Sequence, residues 1–482
     1  MTAIPADAGD LVVQGPAGRV SLRRVNPHVI DILRRIEPPG ADDQQLAELV
    51  QESCHEFLPC WYYYLERLTR RGLLCHSAHE KGARLATLVA ISPSFVVQTG
   101  GVIATRRYIL SRFAYLRRDG DNFVLESPRA HARIVLNDCR TAALVAALSV
   151  PAIPAEVARH PHGLSVESVD GILLLLLRAR MLEEVPRDGT SGEDQDQALQ
   201  TWSFHDLLFH ARSRTGRSDA PYGATYRLAG KIPPTPALKP PMGLESHDLY
   251  RPDLETLKRE DPPLAHVQEQ RRSIREFDGR QPITAQQLGE FLFRVARTRD
   301  YRQVNVMANG NPVEMDFASR PYPSGGGLYE IEFYAAIQQC DGLDPGLYHY
   351  APERHVLERL SECSDETKEL LRDAAESTSI PCAELQVLII LAARFPRLAW
   401  KYESIAYALI LKHVGVIYQT MYLAATAMGL APCGIGGGDS DLFSRAVGAE
   451  YSAESSVGEF LLGSVRPDLA DCNRCDPEGE MQ

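Results

Sequence analysis

The first hundred residues alternate short apolar runs with turn residues, and this pattern predicts one hairpin followed by three helices. In chain order, the predicted elements are a hairpin at 11–25 and helices at 26–36, 42–51 and 58–71. Asn26 is the predicted N-cap of the first helix and Pro27 its first helical residue, whereas Gly72 closes the third helix. A hairpin with three helices is typical of a winged-helix-like module.

The same order of elements recurs about 110 residues later. It comprises a hairpin at 123–136 and helices at 140–148, 153–159 and 166–180. The two copies match at a constant offset of 109 residues, which pairs Leu65 with Leu174, Leu68 with Leu177, Arg71 with Arg180 and Leu73 with Leu182. Such a repeat predicts two winged-helix-like modules in tandem.

Neither third helix has the basic face that reads DNA. The first carries Trp61 and the tyrosines at 62–64, and the second carries the leucines at 173–177. Together with a net charge of −12, this argues against a nucleic-acid partner. Two roles stay open for the modules: docking a peptide as an extra strand at the hairpin edge, or packing and dimer scaffolding.

Length and composition are typical of a soluble protein with several domains. The 482 residues exceed what one core organises, and contents of 44% hydrophobic and 24% charged residues are ordinary. No apolar run reaches 18 residues and no secretion signal is visible, so we expect a cytoplasmic protein that does not enter a membrane. The ten cysteines show no disulfide spacing, and the Cys472/Cys475 pair lacks the second pair that a zinc site needs, so no metal is expected.

The middle of the chain, at 188–247, predicts a linker and an extended arm. Residues 188–197 are polar and acidic, so we expect an exposed linker there. Residues 231–242 contain five prolines, which predicts a polyproline-like arm that crosses to a catalytic domain or to a partner subunit. The catalytic domain is expected to begin near Asp248.

Between the linker and the arm lie His205, Asp206 and His210. Five residues on a helix separate the two histidines by about 140°, so they cannot converge on one metal ion. Hydrogen-bonded packing is the default interpretation, because buried His and Asp side chains normally find partners.

A loop rich in proline and glycine precedes a strand-like run in the second half of the chain. It spans 319–334 and contains Pro321, Pro323, Ser324 and the glycines at 325–327. Three glycines can adopt positive φ and can bring backbone N–H groups against a planar ligand. Taken alone, such a run is more often a surface turn.

Arg271, Arg272 and Arg275 place three guanidinium groups within five residues, with Ser273 between them. Guanidinium forks bind phosphate oxygens in pairs of hydrogen bonds, so the cluster suits a phosphate group. A solvated basic patch is the alternative, since charge runs are common on surfaces. Thr284 then predicts the N-cap of the next helix.

Lys401 and Tyr402 are the candidate pair for proton transfer. The run at 400–430 predicts a long apolar helix and places Lys401 in its first turn. There the positive helix end would favour the neutral amine, and the apolar neighbours Leu398 and Trp400 would add to this by desolvation. The alternative is a lysine whose stem covers apolar surface while its ammonium stays in water.

A further glycine run, at 434–438, follows the long helix. It lacks the strand and helix spacing of a dinucleotide fingerprint. Because no GxGxxG follows a predicted strand anywhere in the chain, a Rossmann domain for NAD(P) is not supported.

In chain order, the four motifs are the arginine cluster, the proline and glycine loop, the Lys401-Tyr402 pair and the second glycine run. Together they resemble the FMN-dependent nitroreductases, and specifically the SagB-type (McbC-like) dehydrogenases that oxidise azolines in ribosomal peptide natural products. The resemblance covers 271–468 closely and the rest of the chain loosely. It implies an α+β protein made of winged-helix-like modules at 1–95 and 100–187, the linker and arm at 188–247, a nitroreductase-like FMN domain at 248–470 and an acidic tail at 471–482.

The resemblance also implies which residues hold the flavin. They are Arg271, Arg272, Ser273 and Arg275 at the phosphate, Pro323, Ser324, Gly325 and Gly326 along the ring, and Gly434, Ile435, Gly436 and Gly437 near either end. The arginine cluster and the glycine loop are therefore expected to converge on one FMN. Family members commonly carry a Gly-His…Gln-Asn pattern on the long helix, whereas this chain has Gly415-Val416 and Gln419-Thr420, which leaves Gln419 as the candidate there.

By the same resemblance, Lys401, helped by Tyr402, removes the Cα proton of a thiazoline or oxazoline. Hydride passes from Cβ to the flavin, which oxygen then reoxidises. The implied partners are a precursor peptide as substrate, a cyclodehydratase and a second copy of the chain in a homodimer. The alternatives are an NAD(P)H-dependent flavin reductase of the nitroreductase class and a docking scaffold without catalysis.

Overall fold

The computed structural model divides into two compact units, Met1–Ala220 and Pro221–Gln482. It describes the chain except for residues 1, 6–9, 16–17, 37–39, 98–99, 187–188, 190, 244 and 468–482. The acidic tail and the Cys472/Cys475 pair lie outside the described residues.

The first unit contains ten strands and nine α-helices among its described residues. The strands are β1 (Thr2–Pro5), β2 (Leu11–Gly15), β3 (Gly18–Leu22), β4 (His76–Glu80), β5 (Ala83–Ala90), β6 (Arg107–Leu110), β7 (Tyr115–Asp119), β8 (Asn122–Glu126), β9 (Ala132–Leu136) and β10 (Leu182–Val185). The helices are α1 (Pro27–Arg34), α2 (Asp43–Cys54), α3 (Leu58–Arg70), α4 (Cys139–Ala147), α5 (Pro154–Ala158), α6 (Val166–Arg178), α7 (Gly192–Gln195), α8 (Gln197–Gln200) and α9 (Phe204–Arg212).

The predicted hairpin and helices of both modules are confirmed. In the first, β2 pairs with β3, and β1 adds a third strand. The Asn26 side chain caps α1 by accepting from the His28 N–H, and Gly72, at φ 66°, follows α3. In the second, β8 pairs with β9 ahead of α4, α5 and α6. The repeat therefore holds at the level of element order.

The two modules differ in how their sheets are completed. Strands β4 and β5, which the sequence assigns to the first module, join a five-stranded sheet in the order β4-β5-β9-β8-β7. Their apolar residues Leu85 and Leu88 share a core with Ile134 and Leu173 of the second module. Strands β4 and β5 therefore pack with the second module, because the apolar face of β5 is buried against β9 and α6.

The stretch expected to be an exposed linker contains a buried carboxylate. Glu193 is 2% exposed, accepts from the Arg112 N–H at 3.0 Å and pairs with Arg129 and the Ser111 hydroxyl. The expectation is wrong at this residue, because an acidic side chain can be buried when cationic and hydroxyl donors surround it.

The nearby histidine segment also differs from the expectation of buried polar packing. His205, Asp206 and His210 are exposed on α9. Asp206 accepts from the hydroxyl of the N-cap Ser203 at 2.7 Å, and His210 stacks on Trp202 at 5.5 Å between ring centroids. The acidic residue therefore supports the start of a helix.

The second unit holds a mixed set of elements. Its strands are β11 (Gly223–Ala224), β12 (Glu245–Asp248), β13 (Asp300–Ala308), β14 (Asn311–Ser319), β15 (Ile331–Ile337), β16 (Gly346–Ala351), β17 (Val356–Glu362), β18 (Val387–Arg394), β19 (Tyr402–Glu403), β20 (Leu430–Ile435) and β21 (Glu454–Ser464). Its helices are α10 (Leu254–Glu260), α11 (Leu264–Gln270), α12 (Ala285–Ala296), α13 (Asp365–Thr378), α14 (Phe395–Ala399), α15 (Ala406–Ala427) and α16 (Ser440–Val447).

A seven-stranded antiparallel sheet forms the centre of this unit, in the order β12-β17-β16-β15-β18-β21-β20. One face packs against α12 and α15, and the other packs against α13 and α16. Every residue of β18 is buried, which accounts for its unbroken apolar sequence. The helix α15 passes the length and composition test for a membrane span, as core helices of soluble proteins also do.

The proline-rich stretch packs on its own unit. This agrees with the prediction that it crosses to the catalytic domain, which was one of the two arrangements considered. Ala237 is fully buried in the core beside α12, and its N–H donates to Asp316 at 2.8 Å. The Ile232 carbonyl accepts from the Trp400 indole at 2.7 Å, and Lys239 donates to Glu454 at 2.6 Å. These contacts replace the ladder hydrogen bonds that a proline-rich chain cannot make.

A network of buried charges crosses β15, β16 and β17. His349 hydrogen-bonds to Glu332 at 3.4 Å and to Glu358 at 3.1 Å, and all three residues are 1% exposed. Burial alone would raise the pKa of Glu332, but the bond to His349 and the charges of nearby arginines lower it to about 2. Burial would lower the pKa of His349, yet its two carboxylate partners raise it.

Replacing Glu332 by glutamine should destabilise this unit and weaken its sensitivity to acid. A carboxyl whose pKa is lower in the folded than in the unfolded state contributes stability above about pH 4.5 and loses it as the pH falls toward 2. We expect Glu332→Gln to lower the free energy of unfolding at pH 7 by about 3 kcal/mol, as for a broken buried ion pair, and to flatten its decline in acid.

Urea unfolding at a series of pH values measures both effects. Glu314→Gln, at an exposed position on β14, is the matched control and should follow the wild type. An identical acid slope for Glu332→Gln and the wild type would contradict the assignment.

Candidate active site

The glycine loop is held by its neighbours in a left-handed backbone conformation. Gly325–Gly327 form a single 3₁₀ turn, with φ of 63° at Gly326 and 67° at Gly327. The Gly325 N–H donates to His413 Nε2 at 2.8 Å, and the Gly327 N–H donates to the Ser324 carbonyl at 3.1 Å. Two of the glycine N–H groups are therefore used within the protein.

Lys401 and Tyr402 converge on the side-chain-free face of Gly326. A Cβ built on Gly326 would lie 2.6 Å from Lys401 Nζ and 2.8 Å from the Tyr402 hydroxyl. Lys401 Nζ also lies 5.7 Å from the ring centroid of Tyr226, whose N–H donates to the Lys401 carbonyl. A side chain at position 326 would displace both groups, and the φ of 63° there also favours glycine.

The predicted helical position of Lys401 is wrong. Helix α15 begins at Ala406, and Lys401 lies between α14 and the short strand β19. Strand β19 pairs with β11, and Ser404 adopts a φ of 62°, so the chain cannot be helical there. The helix-end argument for a neutral amine no longer applies, whereas the buried Leu398 and Trp400 beside it are confirmed.

The arginine cluster is organised by Tyr422 on α15. Its hydroxyl hydrogen-bonds to the Ser273 hydroxyl at 2.7 Å and accepts from the Gly434 N–H at 2.7 Å. The guanidinium of Arg271 lies over the Tyr422 ring at 5.2 Å from its centroid. The structure thus joins the arginine segment to the second glycine run through the Tyr422 hydroxyl.

The glycine loop and the arginine cluster contact α15 on opposite sides. His413 and Tyr422 are nine residues apart, which on an α-helix is about 13.5 Å along the axis and about 180° around it. The glycine loop contacts the first residue, and the arginine cluster contacts the second. Within one chain, the glycine loop and the arginine cluster therefore form two half-sites on opposite sides of α15, and their convergence on one FMN stays a prediction.

The remaining predicted residues fall into two groups. Pro323, Gly436 and Gly437 are exposed, and a Cβ at either glycine would meet nothing within 4 Å. Ile435 is buried in β20, where its carbonyl accepts from the Tyr418 hydroxyl, and Gln419 is exposed on α15. The open surface at 436–437 leaves space for a ligand, whereas Ile435 has a structural role.

Sequence reasoning missed His413, Glu330, Tyr422 and Tyr226. His413 and Glu330 interrupt apolar runs, and that interruption is the only signal they carry. Tyr422 lies one helical turn after Tyr418, so an aromatic pair at a spacing of four could have indicated a shared face.

The donor groups fit the two ends of FMN. Arg271, Arg272 and Arg275 supply guanidinium groups for a phosphate, and Ser273 supplies a hydroxyl. Gly326 is exposed, and Lys401 Nζ and the Tyr402 hydroxyl lie beside it as polar groups for the ring end. Flavin chemistry is thus compatible with the residues present.

Three family models match the chain in succession. They are the ThcOx helix turn helix domain at residues 2–99, the cyanobactin oxidase ThcOx at 108–219 and the nitroreductase family at 269–463. Their order agrees with helical modules followed by the sheet-centred unit.

Three curated relatives match parts of the chain. "Putative nitroreductase MJ1384" of Methanocaldococcus jannaschii is 28% identical over 192 residues, which are 40% of this chain and 85% of that protein. The microcin B17-processing protein McbC of Escherichia coli is 29% identical over 28% of this chain, and the trifolitoxin-processing protein TfxB of Rhizobium leguminosarum bv. trifolii is 28% identical over 26%.

The matches span 49% of McbC and 33% of TfxB, so the chain covers half or less of those two relatives. The match at residues 269–463 and the relative from Methanocaldococcus jannaschii both indicate a nitroreductase-like second unit. The chain is similar to the SagB-type, McbC-like branch of the nitroreductase superfamily, and its three family matches follow one another as ThcOx helix turn helix domain, cyanobactin oxidase ThcOx and nitroreductase family.

Proposed function

We propose that this protein is an FMN-dependent oxidase that converts thiazoline or oxazoline rings of a ribosomally made peptide into azoles. The observation that carries the proposal is the convergence of Lys401 Nζ and the Tyr402 hydroxyl on the exposed Gly326. A proton acceptor and a hydroxyl donor side by side at an exposed glycine suit removal of a proton from a planar substrate. The peptide-processing relatives McbC and TfxB support the substrate class.

Conversion of an azoline to an azole removes one proton from Cα and one hydride from Cβ. Bound FMN would supply the two-electron acceptor for the hydride. Lys401 Nζ would accept the Cα proton, and the Tyr402 hydroxyl would orient it, since both groups lie against the same glycine. Tyr226 and the buried Trp400 shield the pair from water on one side, since their rings lie edge to face at 5.9 Å.

Arg271, Arg272 and Arg275 would hold the FMN phosphate, and Tyr422 fixes their segment against Gly434. Ser273 and Gly434 both bond to the Tyr422 hydroxyl, so a single side chain sets the spacing of two backbone segments. The ring would lie toward Gly326, with Ser324 and Gly325 fixing the backbone there.

Two copies of the chain would complete each site. The half-sites lie on opposite sides of α15, so the arginine cluster of one copy and the glycine loop of another can face one flavin in a two-fold dimer. Helix α15 supports this arrangement, because Tyr407 and Leu411, one turn apart on the same face, are 47% and 39% exposed. The peptide substrate and a cyclodehydratase that makes its azolines are the further partners of this proposal.

Lys401→Ala should keep the bound flavin and abolish azole formation. The change removes the proton acceptor but none of the phosphate donors, so turnover should fall by at least about a hundredfold. Mass spectrometry of an azoline peptide measures turnover as the loss of two hydrogens per ring. Lys368→Ala, at an exposed lysine on α13, is the control.

Unchanged turnover in Lys401→Ala would remove Lys401 from the mechanism. Rapid flavin reduction by NADH without azole formation would favour the flavin reductase instead. A colourless protein that does not take up FMN would favour the docking scaffold.

If each active site is formed by two chains, two variants that are inactive as homodimers should regain activity when they are combined in one heterodimer. Arg271→Ala should release FMN, because the phosphate loses a bidentate donor. A heterodimer of Arg271→Ala and Lys401→Ala, isolated through two different tags, has one site with both residues intact. It should therefore keep about half of the wild-type activity and flavin content.

If each chain holds a whole site, that heterodimer has a defect in both sites and stays inactive. A monomer in solution would also contradict the dimer. The two homodimeric variants, purified in parallel, are the controls.

A further inference from the structure

Gly325 is held by a histidine that must be in one protonation state. Its N–H donates to His413 Nε2 at 2.8 Å. Since a backbone N–H can only donate, Nε2 must present a lone pair, and the neutral imidazole then carries its proton on Nδ1. Nδ1 lies 2.6 Å from Glu330 Oε1, which accepts that hydrogen bond.

Glu330 connects the histidine back to the same loop. Its second oxygen accepts from the Ser324 hydroxyl at 3.2 Å, and the Ser324 oxygen accepts from the Tyr329 N–H at 3.0 Å. Glu330 is fully buried and His413 is 7% exposed. The hydrogen bonds thus form a closed circuit that begins at Gly325 and returns at Ser324.

A second proton on His413 would turn Nε2 from an acceptor into a donor. The Gly325 N–H would then face another N–H, while the bond to Glu330 would become an ion pair. The groups that face this pair from neighbouring elements are Arg397 on α14 and Tyr322 before the loop, both acting on Glu330, and Lys401 and Tyr402 across the loop. Glu330 is the charged group in direct contact with the ring.

We propose that His413 is a positioning residue, which in its neutral Nδ1–H form holds Gly325 and releases the loop when it is protonated. Because Gly325 precedes Gly326, the imidazole sets the backbone surface on which Lys401 and Tyr402 converge. The activity readout of this proposal rests on the proposed function, whereas the tautomer and the loop can be measured without a substrate.

Two substitutions of His413 test separately the hydrogen bonds that its imidazole makes through Nε2 and through Nδ1. A glutamine amide reaches the place of Nε2 and can offer an oxygen to Gly325 that does not titrate, whereas an asparagine amide reaches only the place of Nδ1. His413→Gln should keep most of the wild-type kcat and lose the decline of kcat at low pH, which we call the acid limb of the pH profile. His413→Asn should lower kcat about tenfold with a smaller change in KM, because the Gly325 N–H loses its acceptor.

Glu330→Gln adds a directional test of the same circuit. A neutral amide no longer favours the imidazolium, so the acid limb of the kcat profile should move to lower pH. A merely structural role for the pair would leave the position of that limb unchanged. Superimposable pH profiles of the wild type, His413→Gln and Glu330→Gln would overturn the proposal.

Two measurements without substrate decide the proposal independently. Nitrogen NMR of histidine-labelled protein at pH 8, assigned with His413→Gln, should show an Nδ1–H tautomer. Hydrogen exchange across 324–327 should be faster in His413→Asn and unchanged in His413→Gln. An Nε2–H or charged ring at pH 8, or equal exchange in both variants, would overturn it, and absence of azole formation by the wild type would overturn only the proposed function.

Discussion

The nitroreductase-like unit depends on one helix that must fill the core and also hold polar loops at its edges. Ile410, Ile417 and Met421 bury the central stripe of α15 against the sheet. His413 and Tyr422 flank that stripe and carry the hydrogen bonds of the two half-sites. The apolar stripe fixes the rotation of the helix, and this rotation decides where both polar side chains point.

Glycines let this helix approach the sheet closely enough for those bonds to form. A Cβ at Gly458 of β21 would lie 2.7 Å from the Tyr418 hydroxyl and from a Val414 methyl group. One at Gly434 of β20 would lie 3.3 Å from the Tyr422 hydroxyl, the same atom that bonds to its N–H. Close backbone approach, and not a phosphate-binding loop, accounts for these two glycines.

The sequence predicted the elements that depend on neighbouring residues, but it did not predict contacts between residues that lie far apart in the chain. Caps and periodicity predicted the helices of both modules, and motif order predicted the nitroreductase-like unit. The pairs Glu330–His413 and Ser273–Tyr422 are 83 and 149 residues apart, so no local pattern could reveal them. The start of α15 was misplaced for the same reason, since pairing with β11 extends the chain at Tyr402.

The glycine loop contributes space more than hydrogen-bond donors. Its conformation commits the N–H groups of Gly325 and Gly327 to His413 and Ser324, and the Ser324 hydroxyl is committed to Glu330. The absence of a side chain at Gly326 lets Lys401 Nζ and the Tyr402 hydroxyl lie directly against the backbone of the loop. Polar recognition of a ligand would therefore fall to the arginines and to Lys401 and Tyr402.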